Sequence, residues 1–150
     1  MRITLDANAI VSGFIGYGRP GNKPGEVLRS VRRGDVHLVT PDYILDEAAR
    51  VLRRPWFARR YVENETTMML SALRRDGLVV DLPADIPRLC RDPRDDAAIA
   101  TAVVGLAAHL VTGDDDILVL DRVGEVRIVN PATFIALFPE GGPPKPGSER

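Results

Sequence analysis

Acidic residues in this chain gather where strands are expected to end. Asp6 directly follows the short apolar run Ile3-Thr4-Leu5. Asp114, Asp115 and Asp116 follow the run that ends at Thr112, in LVTGDDDILVL. Asp92, Asp95 and Asp96 lead into an alanine-rich stretch, in CRDPRDDAAIATAV. Glu47 lies in PDYILDEAARVLRRP. At 100° per residue, Ile44, Leu45, Ala48, Val51 and Leu52 form one apolar stripe, with Glu47 at its flank and Asp46 on the far side. The same projection does not separate Asp95 from Asp96, which both flank the stripe of Ile99, Val103 and Leu106. An acid directly after a buried strand is costly without a partner. Two carboxylates about 5 Å apart repel by roughly 3 kcal/mol at an effective dielectric of about 20. Bringing Asp6, Glu47, Asp96 and Asp114 together therefore demands retained protons or hard divalent cations. Oxygen-only ligands suit Mg²⁺ or Mn²⁺ rather than zinc. Such an ion orients a phosphate, lowers the pKa of a bound water and offsets charge on a leaving oxygen, so the set points to phosphoryl chemistry. Taken singly, these acids have plainer readings. Asp95 would cap a helix, Asp92 would make a turn before Pro93, and Asp114–Asp116 would be a solvated turn.

The elements that must position these acids alternate. Strands are expected at 2–5, 36–40, 78–82, 109–112 and 126–129. Helices are expected at 26–33 (closed by Gly34), from Pro41 to about Arg54 with Thr40 as cap, from Trp56 to Arg75, from Asp95 to Ala108, and from Pro131 to about Phe138. GYGRPGNKPG, residues 16–25, reads as a loop, and so do residues 83–93 with their three prolines. Alternation of this kind means an α/β fold, a three-layer α/β/α sandwich around a central parallel sheet of about five strands. In such folds sites lie beyond the carboxyl ends of the strands, where Asp6 and Asp114 would stand. One domain is expected over residues 1–138. PEGGPPKPGSER, residues 139–150, reads as a flexible Pro/Gly-rich tail.

The chain has 150 residues, 45% hydrophobic and 27% charged, with a net charge of -1, so it can bury a core. That balance excludes disorder and a uniformly basic nucleic-acid coat. Arg and Asp dominate the charged residues, and seven of the aspartates (6, 92, 95, 96, 114, 115 and 116) fall at one expected sheet edge. The near-zero total hides an acidic pocket and an Arg-rich periphery. The single cysteine, Cys90, cannot make an internal disulfide and suits a reduced compartment; a thiolate role lacks a histidine-bearing partner motif. No signal peptide or membrane-spanning run is evident, so a cytoplasmic location is expected. His37 and His109 sit in apolar strand patterns and read as packed side chains. LRRPWFARRY, with Arg53, Arg54, Arg59 and Arg60 around Trp56, Phe57 and Tyr61, combines phosphate-binding charge with base-stacking rings.

The four blocks ITLDANAIVSGFI, PDYILDEAARVLRRP, CRDPRDDAAIATAV and LVTGDDDILVL, in this order and spacing, resemble the PIN-domain ribonuclease family. The nearest resemblance is to the VapC-like toxins of type II toxin–antitoxin systems. It covers residues 2 to about 138. It implies strand order 3-2-1-4-5 and a Mg²⁺- or Mn²⁺-dependent endoribonuclease acting on single-stranded RNA. Asp6, Glu47, Asp96 and Asp114 match the family's four acids, with Asp6, Asp96, Asp114 and Asp116 as metal ligands. Asn8, Thr112 and Asp92 match supporting polar positions. Ala7 stands where the family carries Thr, and Ser12 is expected to supply the missing hydroxyl. The resemblance further implies a homodimer and a cognate antitoxin. Two alternatives remain: an inactive PIN domain serving as a binding module, and a phosphatase of the haloacid-dehalogenase type. The latter lacks a second Asp at position 8.

Overall fold

A computed structural model describes residues 1–140. In chain order the elements are β1 (Arg2–Leu5), α1 (Ala7–Gly16), α2 (Lys23–Arg33), β2 (His37–Thr40), α3 (Asp42–Leu52), α4 (Pro55–Ala58), α5 (Glu63–Asp76) and β3 (Leu78–Val79). Then follow α6 (Pro93–Val104), β4 (His109–Val111), α7 (Asp115–Leu118), β5 (Arg122–Val123), β6 (Val126–Val129) and α8 (Pro131–Leu137). The sheet has six strands in the order β3-β2-β1-β4-β6-β5. The five expected strands are present in the expected order, parallel throughout. The addition is β5, a two-residue edge strand antiparallel to β6. It follows Asp121, at φ 61°, and turns back at Gly124, at φ 58°. A hairpin this short leaves too little alternation to be read from sequence.

Strand order sets the layers. From β1 through β2 to β3 the chain steps one way; from β3 to β4 it returns past both. Right-handed crossovers therefore place α1, α2, α3 and α5 on one face and α6 on the other. Contacts agree: α1 packs on α2 and α3, α3 on α5, and α6 on β1, β2 and β4. The core runs through the central strands, with Ile3, Leu5, Leu38, Leu110 and Val111 essentially inaccessible. Ala98 and Ala102 let α6 lie close against them.

Several boundaries differ from the sequence reading. Helix α2 begins at Lys23 inside the expected 16–25 loop, because Asn22 caps it through the Gly25 N–H and Pro24 fits its first turn. The single helix expected over Trp56–Arg75 is two. Pro55 opens the short α4, and the chain breaks at Arg59–Val62, where Tyr61 packs edge-on against Phe14 at 5.2 Å. Helix α5 then restarts with Glu63 and Glu65 at its positive end. Thr40 does not cap α3: its hydroxyl donates to the Pro41 carbonyl. His109 is buried against Phe134 and Phe138, as expected, whereas His37 is exposed. Of the expected tail, Glu140 pairs with Arg29 and Arg33 on α2. Residues 141–150 lie outside the described residues.

The α1–α2 contact depends on one missing side chain. A Cβ at Gly25 would run into the backbone carbonyl of Gly16, which cannot step aside as a side-chain tip would. Gly25→Ala is expected to lower unfolding free energy by about 1–3 kcal/mol, read as a fall in urea midpoint at unchanged slope; an unchanged midpoint would show that the helices reseat freely.

Candidate metal and nuclease site

The site begins with strand register. Pairing of β1 with β4 sets Leu5 opposite Val111, so Asp6 and Thr112 leave the sheet side by side. The Thr112 hydroxyl donates to Asp6 Oδ2 at 2.6 Å and accepts from the Asp114 N–H at 3.0 Å. Asp6 Oδ1 accepts the Ala9 N–H at 2.8 Å and so caps α1. Asp114 caps α7 through the Asp116 N–H at 2.9 Å. Both carboxylates are thus aimed by backbone groups at helix starts.

Asp95 reaches the same place from the first turn of α6. Asp95, Asp114 and Asp116 each offer a carboxylate oxygen within 4.8 Å of the others. They adjoin a cavity of about 270 Å³ that Asp6, Asn8, Glu47, Arg54, Arg94, Asp95 and Asp114 line. Burial pushes Asp6 above the usual carboxylate range; the bonds from Thr112 and Ala9 oppose this, and the charges of Asp114 and Glu47 add to it. Asp95 is pushed up to about 6, first by burial and then by the carboxylates of Asp114, Asp92, Asp6 and Asp116. Oxygen donors this crowded fit a hard divalent cation, which would relieve both the repulsion and the desolvation.

The structure does not bring Asp96 to the cavity. Its carboxylate is only 1% exposed and is fully engaged elsewhere. Oδ1 accepts the Leu89 and Cys90 N–H groups at 2.8 Å each, and Oδ2 accepts Arg88 Nε at 3.0 Å. Asp96 therefore anchors the 80–92 segment, and Asp95 is the α6 acid that faces the cavity. The missed signal was Asp92-Pro93: Asp92 caps α6 and Pro93 opens it, two residues before the expected start.

Glu47 lines the cavity, but its Oε1 accepts Arg94 Nη1 at 3.1 Å. Asp92, expected beside the metal ligands, is bound to Arg94 instead, which holds its carboxyl below the usual range. Asn8 is exposed at the cavity wall and makes no side-chain hydrogen bond among the described residues. Ser12 lines an adjoining hollow but does not bond to Asp6, so it does not supply the hydroxyl that Ala7 lacks; the hydroxyl on Asp6 is that of Thr112, at its own expected position. Of the four arginines, Arg54 lines the acidic cavity. Arg60 lies over the Trp56 ring at 4.0 Å, and Arg53 faces a separate hollow between α3 and α5. Arg59 is exposed. Cys90 is no thiolate, since burial and neighbouring carboxylates push its thiol up to about 11. Arg94 was not among the expected residues.

A family model for the PIN domain matches residues 2–116. The chain belongs to the PIN domain family. Among solved structures it is similar to a chain in the crystal structure of VapBC2 from Rickettsia felis bound to a DNA fragment from their promoter. Identity is 13% and the TM-score 0.54, over 87% of this chain and 98% of that one. That likeness bears on the fold. No curated protein sequence matches. No helix among the described residues is long and apolar enough to cross a membrane.

Two outcomes follow from this geometry. Asp96→Ala is expected to cost about 1.5–3 kcal/mol of stability, as for loss of hydrogen bonds to a charged group, whereas Asp95→Asn keeps the fold and loses Mn²⁺ binding by calorimetry. Loss of binding on Asp96→Ala at intact stability would reverse the assignment. The raised Asp95 also fixes a sign. In the metal-free fold it binds a proton that the unfolded chain has released between about pH 4 and 6, so its contribution to stability falls as pH rises through that window. The melting temperature of Asp95→Asn relative to the parent should therefore climb from pH 4 to 7 without metal, and a pH-independent difference would contradict the crowding.

Proposed function

We propose that the chain is a Mg²⁺- or Mn²⁺-dependent endoribonuclease that hydrolyses single-stranded RNA, the toxin of a toxin–antitoxin pair acting in the cytoplasm. The observation that carries this reading is the meeting of Asp95, Asp114 and Asp116 within 4.8 Å, beside an Asp6 held by Thr112. Asp95, Asp114 and Asp116 would hold the ion, with Asp6 at its edge. A divalent ion bound there supplies positive charge to the phosphate and its leaving oxygen and acidifies water. The protein's own part is alignment: Asp6 and Asp114 cannot drift apart while one hydroxyl bonds to both.

A polyanion must still approach four carboxylates. Arg54 on the cavity rim offsets that repulsion, and the surface beyond it carries Arg53, Arg59 and Arg60. Trp56 is 49% exposed, backed by Arg60 and edge-on to Phe57 at 4.7 Å, a ring placed to stack an unpaired base. This favours single-stranded substrate over duplex. Between α3 and α5 a second hollow, lined by Ala49, Leu52, Tyr61 and Leu70 together with Arg53, Glu63, Thr66 and Thr67, suits an amphipathic helix. It supports an antitoxin partner, and the exposed Val62 and Met68 nearby suit pairing of two copies. Asp6 is held by Thr112 and the Ala9 N–H even with Ala7 beside it, which favours an active site over an inactive binding module.

Purified chain should cut single-stranded RNA with Mn²⁺ or Mg²⁺, stop on chelation, and lose activity about 100-fold or more in Asp6→Asn, on the scale of removing a preorganised electrostatic group. Cleavage that survives chelation, or survives Asp6→Asn in a folded protein, would sink the reading.

A further inference from the structure

Arg94 links two acids of the cavity wall. Its Nη2 donates to Asp92 Oδ2 at 2.9 Å, its Nε contacts both Asp92 oxygens, and its Nη1 donates to Glu47 Oε1 at 3.1 Å. Asp92 also caps α6 through the Arg94 backbone N–H. The guanidinium is therefore tethered at both ends, to its own helix start and across to α3. Glu47 is largely buried, so its charge needs a nearby cation. Yet Glu47 stands outside the cluster of Asp95, Asp114 and Asp116 that can share an ion. The cavity wall thus carries two groupings, Asp95 and Asp114, which converge with Asp116, and the Arg94 guanidinium with Glu47 and Asp92; Asp6 lines the same cavity.

We propose that Arg94 takes the place of a second divalent cation at Glu47, so that the pocket admits one ion, at Asp95, Asp114 and Asp116, and offers the guanidinium as its other positive centre. A guanidinium is permanently charged and planar, which suits a fixed carboxylate on one side and a phosphate on the other. Three of its five N–H groups are engaged by Asp92 and Glu47, leaving two for phosphate oxygens. The role toward phosphate rests on the nuclease reading; the role toward Glu47 does not.

The test is Mn²⁺ stoichiometry on the full chain, by calorimetry and by electron paramagnetic resonance, alongside cleavage of single-stranded RNA. The parent should bind one Mn²⁺. Arg94→Ala should bind two and cleave about ten-fold or more slowly. Arg94→Lys should stay at one. Adding Glu47→Gln to Arg94→Ala should return the count to one, an outcome that a merely structural Arg94 would not produce. Two ions in the parent, one ion in Arg94→Ala, or no binding at all would overturn the proposal. Stoichiometries as expected with no RNA cleaved by the parent would support the Arg94–Glu47 substitution and remove the nuclease reading instead.

Discussion

A single hydroxyl joins the two ends of this site. Thr112 lies at the tip of β4 and Asp6 at the tip of β1, the two strands at the middle of the sheet. The hydroxyl gives its proton to Asp6 and its lone pair to the Asp114 backbone, so it fixes both acids relative to the sheet. Everything else at the site is placed against that pair. The β1–β4 register decides that the two residues are neighbours, and the helix starts they cap decide where their free oxygens point. The constraint is also electrostatic. A fold that converges carboxylates at buried strand ends bears repulsion in the metal-free state, and bound cations or internal guanidinium groups must offset it.

Two guanidinium groups lie around the start of α6, with opposite consequences for its two acids. Arg88 closes over Asp96 and, with two backbone N–H groups, removes it from the cavity. Arg94 leaves Asp95 free and engages Glu47 and Asp92 instead. Adjacent acids on one helix turn therefore do different work: Asp96 ties down a segment poor in regular structure, and Asp95 faces the cavity. The difference follows from where the helix starts, not from residue type.

Sequence made the fold legible where local and global signals agree. Apolar runs that end in Asp6 and Thr112, the glycine after α2 and the alanines of α6 all pointed to a parallel sheet with acids at its carboxyl edge. Legibility failed where one residue of phase mattered. Placing the start of α6 at Asp95 rather than at Asp92-Pro93 hid the choice between Asp95 and Asp96, since both flank the apolar stripe. It failed too where a partner is remote. Nothing local to Asp92-Pro93-Arg94 says that its guanidinium meets Glu47, 47 residues away. The role of Thr112 was expected from resemblance, but that it serves Asp6 and Asp114 at once is a property of register.

The central claim is that Asp114 and Asp116, which follow β4, and Asp95 from α6 form one divalent-cation site beside the Asp6 carboxylate at the β1 end. Anomalous diffraction from crystals of the full chain grown with Mn²⁺ tests it most directly. A single strong peak within coordinating distance of Asp95, Asp114 and Asp116, with Asp96 still bound to Leu89, Cys90 and Arg88, is the result expected. A peak coordinated by Asp96, or by Glu47 with Arg94 displaced, would contradict it.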